Sequence, residues 1–323
     1  MQTIRQNLSR YRNEIKGVAI LWVVFFHAQL GLDGFLYQIQ RIGYGGVDIF
    51  FFLSGYGLYH SLSKDADLGR YMKRRSERLL PSYLPFCLLW LAVMLPMYGG
   101  GIATSARIAM SNLSMLSFLT GTPLYINWYT GALLMSMVLA PFFYVLVKPG
   151  KKYWLRALGL LAVLFAVGLG YIDDSRYMFI CRLPVMVLGM IVGGCTMNSR
   201  KLRWGIPMVT AGSVLALAVL YRCLDQYKEL LVTYAMYWHP FVLIAPVLCI
   251  GLGWLFSHVP VIVLKPLNIL GRASFEIFLF NAWVETLGVG FGVFSGPVEW
   301  LLWSGAGIVV GLGYHMLITY SIL

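Results

Sequence analysis

Two ionisable residues lie on the first long apolar run of the chain, IKGVAILWVVFFHA. Lys16 stands near its start, and His27 follows eleven residues later. On an α-helix this step is about three turns, so both side chains would share one face, about 16 Å apart along the axis. Such a face could hold a long anionic molecule beside a base. The alternative is that Lys16 anchors the helix and His27 bonds a neighbouring helix, and the spacing alone does not separate the two.

The second apolar run, GGVDIFFFLSGYGL, carries an acid near its start and a serine in its middle. Asp48 and Ser54 are these two residues, and Gly55 and Gly57 follow the serine. If the first two runs form antiparallel neighbouring helices, Asp48 could meet His27, where a carboxylate would fix the imidazole tautomer and support a general base. The glycines would allow close helix approach. Alternatively, Asp48 is an interfacial acid that the helix dipole favours.

A basic run, YMKRRSERLLPSY, follows the second apolar run. Arg75 and Arg78 are three residues apart and would form one face of a helix, with Arg74 beside it. Arginine is suited to bidentate phosphate binding. The alternative is a basic loop that contacts anionic lipid headgroups. This alternative accounts well for Lys73 alone and less well for the whole set.

Composition indicates the elements that position these residues. Apolar residues make up 59% of the chain and charged residues 12%, which excludes a soluble globular domain. Several apolar runs approach or reach the ~20 residues that a membrane-spanning helix needs. We therefore predict an all-α polytopic membrane protein, with one membrane domain over residues 1–323 and about ten spans. The predicted spans are Ile15–Leu32, Tyr44–Ser63, Leu79–Tyr98, Asn127–Val147, Leu155–Tyr171, Tyr177–Met197, Gly205–Tyr221, Leu230–Phe256, Arg272–Phe294 and Val298–Ile322. An interfacial helix is expected at Arg107–Leu119.

The net charge of +12 reflects the placement of the basic residues. Most of them fall in five clusters between pairs of apolar runs, at 5–16, 64–78, 148–156, 200–203 and 265–272. This alternation follows the positive-inside rule, so the clusters and both termini are predicted to be cytoplasmic, and nucleic acid is not an expected partner. The five cysteines form no CxxC pair and no ligand cluster with histidine, so neither a disulfide nor a metal site is expected.

Taken together, these segments resemble the acyltransferase 3 family of membrane acyltransferases. The resemblance rests on Lys16 to His27, on DIFFFLSGYGL and on RRSERLLPSY, which occur in the family's order and at matching separations. The later segments INWYTGALL, RLPVMVLGMIVG and LGRASFEIFLFN are similar to further family segments. The resemblance extends from about residue 10 to about residue 320.

The resemblance implies transfer of an acyl group, usually acetyl from cytoplasmic acetyl-CoA, to a hydroxyl of a cell-surface glycan or a lipid-linked saccharide. A bacterial inner membrane, with its lipids, is the expected location. His27 would be the catalytic base, and the geometric argument above adds Asp48 as its carboxylate. The residues expected to meet the donor phosphates are Lys16, Arg74, Arg75 and Arg78. Those expected to line the acyl path or act as inner polar partners are Ser54, Trp128, Tyr129, Arg182 and Glu276.

Two positions depart from the family pattern. Lys16 stands where Arg is commoner, which keeps the charge and loses the bidentate geometry. Asn281 stands where many relatives have His, which concentrates the catalytic prediction on His27. The remaining histidines, including His315, are interpreted as interfacial, packed or hydrogen-bonded within helices.

A proton-coupled transporter or flippase is the main alternative, because buried ionisable residues also serve carriers. Carriers commonly show two repeated halves, and no such repeat is evident in the sequence. A purely structural membrane scaffold would leave the charges within the apolar runs unexplained. The sequence therefore favours the enzyme.

Overall fold

The computed structural model describes residues 2–65, 67–170, 176–197, 205–226 and 238–322, and these ranges contain helices and no β-strand. The α-helices are α1 (Gln2–Arg10), α2 (Arg12–His27), α3 (Gly34–Arg41), α4 (Gly45–Lys64), α5 (Leu68–Tyr98), α6 (Ile102–Leu113), α7 (Trp128–Val147), α8 (Tyr153–Gly170), α9 (Tyr177–Ile180), α10 (Leu183–Met197), α11 (Gly205–Asp225), α12 (Phe241–Phe256), α13 (Val261–Arg272), α14 (Ser274–Glu285) and α15 (Pro297–Ile322). A π-helical turn, Thr286–Gly290, follows α14.

Five helical stretches in the described residues are long and apolar enough to cross a membrane. They are Leu68–Tyr98, Trp128–Val147, Tyr153–Gly170, Tyr177–Met197 and Pro297–Tyr320. Two shorter apolar helices, Thr210–Leu224 and Phe241–Phe256, accompany them. The all-α prediction is confirmed for the described residues. The number of ten spans, the cytoplasmic location of the termini and the single domain stay predictions.

Several helices begin before the apolar segments from which they were predicted, and one was not predicted at all. Helix α5 begins at Leu68 and so includes the basic run, whereas the predicted span began at Leu79. Helix α6 begins at Ile102, five residues before the predicted interfacial helix. Helix α13 lies between two predicted spans. Hydropathy marks the apolar part of a helix and does not detect its continuation into polar sequence. The predicted helical residues 230–237 and the basic cluster 200–203 lie outside the described residues.

The predicted span Tyr177–Met197 is divided into α9 and α10 by a turn at Cys181 and Arg182. Pro184 stands in the first turn of α10 and has no amide hydrogen for the helical ladder. Proline is well tolerated in the first turn of a helix, so α10 can begin here. The turn brings Arg182 out of the regular helix.

The chain forms two compact units, each assembled from three segments. Unit 1 comprises Met1–Ala19, Gly45–Leu68 and Ser136–Gly271, and unit 2 comprises Ile20–Tyr44, Gly69–Met135 and Arg272–Leu323. His27 and the arginines of α5 belong to unit 2. Lys16, Asp48, Ser54 and Arg182 belong to unit 1.

In unit 1, α4 and α10 pack with their backbones in contact. A methyl group at Gly55 would overlap the backbone carbonyl of Met186, and one at Gly189 would overlap the carbonyl of Phe52. Close helix approach was predicted for Gly55, and α10 is the helix that it meets. Small residues at a crossing allow such contact because no side chain intervenes.

Helix α13 is attached to the start of α2, also within unit 1. A methyl group at Gly17 would overlap the carbonyl of Leu267. Asn268 Nδ2 donates a hydrogen bond of 2.8 Å to Oε1 of the buried Glu14. These contacts fix the turn of α2 that carries Lys16.

Candidate active site

The last residue of α2 and the last residue of α14 meet in unit 2. His27 Nδ1 lies 2.9 Å from Glu285 Oε1, and the side chains are 30% and 39% exposed. A carboxylate at this distance holds the neutral imidazole with its proton on Nδ1, so Nε2 keeps its lone pair. An imidazole oriented in this way, with one nitrogen available, can act as a general base.

A glutamine from α3 holds the end of α2 that carries His27. Gln40 is buried, and its Nε2 donates to the carbonyl oxygen of Phe25 at 2.8 Å and to that of Ala28. The last carbonyls of a helix lack partners within the helix, and this amide satisfies that of Phe25 in the last turn and that of Ala28 just beyond it. Trp22 Nε1 donates a further bond of 2.9 Å to the backbone of α3. Helix α3 therefore fixes the turn that presents the imidazole.

Glu285 is held at the point where α14 changes its winding. The π-helical turn begins at the next residue, and single π-turns often occur at functional sites. Beside it lies an apolar cluster of the buried residues Val284, Phe294 and Trp300. Leu30, three residues beyond His27, packs against this cluster. Leu30, which follows His27, and Val284, which precedes Glu285, thus lie in the same apolar cluster.

A second carboxylate–imidazole pair lies earlier on α14. Glu276 is buried and accepts a hydrogen bond of 2.6 Å from Ser82 Oγ of α5. His315 Nδ1 of α15 lies 3.3 Å from the other carboxylate oxygen, Oε2. Tyr314 donates from its hydroxyl to the Ser82 carbonyl at 2.9 Å. The serine bonds the acid and not the histidine, so this is not the serine–histidine–acid arrangement of a serine nucleophile. His315, interpreted above as packed or hydrogen-bonded within helices, has a carboxylate partner on another helix.

The arginines of the basic run lie on the first turns of α5. Arg74 and Arg78 are exposed, and Arg75 is half-buried with its guanidinium 5.7 Å from the centre of the Tyr71 ring. Steps of three and four residues place Arg75, Arg78 and Ser82 on one face of the helix. Arg78 therefore stands about one turn, and Arg75 about two turns, from Ser82, which bonds the buried Glu276.

Trp128 and Tyr129, called the Trp–Tyr motif below, begin α7 and contact α14 through Tyr129. Tyr129 is buried, and its ring centre lies 4.5 Å from that of Phe278. Trp128 is half-buried and packs edge-on against Tyr129 at 6.0 Å. Phe278 and Glu285 are seven residues apart, which places them on one face of α14 about 10.5 Å apart along the axis. The motif and His27 therefore reach the same face of α14.

In unit 1, Asp48 and Arg182 form a buried ion pair. Arg182 Nε lies 3.6 Å from Asp48 Oδ2, and both side chains are almost completely buried. Arg182 Nη1 also donates to the carbonyl oxygen of Met178 at 2.6 Å. Two residues that were predicted for separate roles are thus partners. The predicted pairing of Asp48 with His27 stays a prediction, and the carboxylate beside His27 in the structure is Glu285.

The other predicted site residues are placed as follows. Lys16 on α2 and Ser54 on α4 are half-buried. Asn281 is buried on α14, and its Nδ2 donates to the carbonyl oxygen of Ile277 at 3.1 Å. The amide therefore bonds its own helix, at the position where the resemblance described above places His in many relatives.

Sequence reasoning missed Glu285, Gln40 and Ser82. A signal for Glu285 was present, because it is an acid inside the predicted span Arg272–Phe294 and acids within spans are functional candidates. Gln40 and Ser82 carried no such signal, because uncharged polar residues are common in helices and their partners come from distant segments.

The family model of acyltransferase 3, described as an acyltransferase domain, matches residues 13–319. The chain belongs to the acyltransferase 3 family. No curated protein and no solved structure gives a significant match. Together with the apolar helices, family membership identifies a multi-pass membrane acyltransferase.

Proposed function

We propose that this acyltransferase moves an acyl group, most simply acetyl, from cytoplasmic acyl-CoA to a hydroxyl of a cell-surface glycan or of its lipid-linked precursor. The bacterial plasma membrane is the proposed location. The observation that carries the proposal is the His27–Glu285 pair, at 2.9 Å, within a chain of this family. Transfer to a hydroxyl needs a base for the hydroxyl proton, and an oriented imidazole supplies one.

In the proposed reaction, the acceptor oxygen attacks the carbonyl carbon of the thioester while His27 Nε2 takes the hydroxyl proton. The carbon–sulfur bond then breaks, and the imidazolium gives its proton to the CoA thiolate. The products are the acyl ester and CoA with a free thiol. Glu285 keeps Nδ1 protonated and stabilises the imidazolium that forms between the two steps.

Donor binding is proposed for the arginines of α5. Arg74, Arg75 and Arg78 present guanidinium groups on the first turns of one helix, and such groups bind phosphate oxygens in bidentate fashion. Trp128 and Tyr129 are proposed to line the acyl path, since Tyr129 packs on the face of α14 that also carries Glu285.

Four further residues keep the roles that the family resemblance implies, as proposals. Glu276 is an inner polar partner in unit 2, supported by its bond from Ser82. Lys16 is a donor-binding residue, Ser54 lines the acyl path, and Arg182 is an inner polar residue of unit 1. The catalytic role that helix geometry predicted for Asp48 stays a prediction.

The test uses a deletion strain of the native host that carries wild-type or variant protein at matched levels. Its membranes are incubated with acetyl-CoA labelled in the acetyl group, and label that mild base releases from the glycan fraction is counted. We expect His27→Ala to abolish this label. His258→Ala is the matched control, because this exposed histidine lies in the turn after α12, bonds the backbone of that helix at Trp254 and should leave the label unchanged.

Equal labelling by wild type and His27→Ala would refute the catalytic role of His27. No labelling by the wild type with any acyl-CoA would refute the proposed reaction. Uptake of a saccharide without acyl transfer would favour a carrier instead.

A further inference from the structure

The residue that precedes α7 is a buried asparagine whose amide nitrogen has no partner among the described residues. Asn127 is 8% exposed, and its Oδ1 accepts a hydrogen bond of 2.9 Å from the backbone nitrogen of Thr130. Its Nδ2 is shielded from solvent and makes no hydrogen bond within that part of the chain. One side of the amide is therefore used and the other is not.

The bond to Thr130 fixes which way the amide points. Asn127 is the N-cap of α7, and a capping side chain must offer an acceptor to the free backbone amides of the first turn. Exchanging the oxygen and nitrogen of the amide would set a donor against the Thr130 donor. The NH2 group must therefore point away from the helix end.

The unused NH2 group is not explained by capping. Serine, threonine and aspartate cap helices as well as asparagine does, and none of them brings a buried NH2 group. A buried donor without a partner costs about 1–3 kcal/mol. Such a group in a native protein calls for an explanation, and binding of a ligand acceptor is one that would satisfy this donor.

Asn112, in the same unit, shows how a purely structural amide is bonded. Its Nδ2 donates to the carbonyl oxygens of Ile108 at 2.9 Å and Leu124 at 3.1 Å. Its Oδ1 accepts from the backbone nitrogen of Ile126 at 3.1 Å. Asn112 thus uses both ends of its amide within the protein, whereas Asn127 uses one.

Asn127 directly precedes Trp128 and Tyr129, the two residues that begin α7 beside α14. Tyr129, two residues later, packs on Phe278, and Phe278 shares a face of α14 with Glu285 about 10.5 Å away. His27 contacts Glu285. The free donor therefore lies at the end of α7 that packs on the α14 face carrying Glu285, the partner of His27.

We propose that Asn127 Nδ2–H donates a hydrogen bond to the carbonyl oxygen of the acyl group during transfer. This inference rests on the proposed function. When the acceptor oxygen attacks the thioester carbonyl, the carbonyl electron pair moves onto its oxygen, and the amide stabilises that negative charge. The pair returns as the carbon–sulfur bond breaks, and the proton passes through His27 to the thiolate as before. A fixed donor of this kind acts mainly on the transition state.

The test compares Asn127→Ser and Asn127→Asp with wild type. Both variants keep an N-cap acceptor for Thr130 and remove the NH2 donors. We expect kcat for acetyl transfer to fall about 100- to 1,000-fold in both, as for loss of one oxyanion donor, with a smaller change in KM for acetyl-CoA. Aspartate should be the worse of the two because its charge opposes an oxyanion. The apparent Tm in detergent should stay close to that of wild type.

Asn112→Ser is the matched control, because it removes a buried amide that only holds the fold. It should lower Tm and leave kcat per folded molecule unchanged. If either Asn127 variant folds as wild type and keeps more than a third of its rate, the inference is overturned. If the losses in the Asn127 variants follow the loss of folded protein, as in Asn112→Ser, Asn127 is only a cap and the inference is overturned too. An inactive wild type would instead refute the proposed function.

Discussion

Removal of the Glu285 carboxylate tests most directly whether this residue orients His27 as the proposed catalytic base. The structure places Glu285 Oε1 2.9 Å from His27 Nδ1, and no sequence pattern had paired these residues. In Glu285→Ala, nothing replaces the acceptor that holds the Nδ1 proton. The imidazole would rotate, and its proton would be distributed over both nitrogens. Less of the enzyme would then present a free Nε2 to the acceptor hydroxyl.

The size of the effect follows from the bond that is lost. A hydrogen bond to a charged group contributes about 1.5–3 kcal/mol. His27 and Glu285 are 30% and 39% exposed, so water screens the pair and the lower part of this range applies. Since about 1.4 kcal/mol corresponds to a factor of ten in rate, kcat should fall about 10-fold, and at most about 150-fold.

The assay measures the initial rate of acetyl transfer as a function of acetyl-CoA concentration. We expect Glu285→Ala to lower kcat with little change in KM, because Glu285 orients the base and does not bind the donor. Glu285→Gln keeps an oxygen for Nδ1–H and should recover part of the loss. Glu299→Ala is the control, since this exposed acid of the same unit bonds the nearby Ser295 and no other side chain among the described residues. A Glu285→Ala rate within threefold of wild type would refute the positioning role.

Three further predictions concern the donor site and the packing. Arg78→Gln should raise the KM for acetyl-CoA about 10-fold with kcat retained, whereas Lys73→Gln on the same helix should change neither; equal KM values would make Arg78 a topology residue. Asp48→Asn leaves Arg182 buried without a counter-charge and should cost about 3–5 kcal/mol, seen as a lower unfolding midpoint in detergent; an unchanged midpoint would contradict the ion pair. Gly55→Ala would overlap the backbone of α10 and should cost about 1–3 kcal/mol, and wild-type stability would show that the two helices are not in contact.

The helices and the residues of the first motifs could be predicted from the sequence, because the patterns that indicate them lie within short segments. The apolar run around His27 and the basic run around Arg75 are each contained in a short window, and helix formation depends mainly on such windows. The residues at which helices begin and end were harder to predict from the sequence. Helix α5 begins eleven residues before the predicted Leu79, because the polar residues ahead of it are also helical. One continuous span was predicted for Tyr177–Met197, and the turn at Arg182 was not predicted, although Pro184 follows two residues later.

In the candidate site, too, individual residues could be predicted from the sequence, whereas their partners could not. His27 was found because an imidazole in an apolar run is costly and therefore informative. Its partner was expected to be Asp48, because helices that are adjacent in sequence were assumed to supply the contact. In the structure, Asp48 pairs with Arg182 and His27 with Glu285, and each partner comes from more than a hundred residues away.

The sequence by itself determined that this is an all-α chain with long apolar helices and a member of the acyltransferase 3 family. It also predicted that the chemistry centres on His27. Composition, hydropathy and motif order carry that information, because each is a property of neighbouring residues. Only the tertiary structure assigned the partners. Ser82 and Glu276 are 194 residues apart in the chain and 2.6 Å apart in space. Such a bond depends on how helices pack, and no window of sequence contains both of its ends.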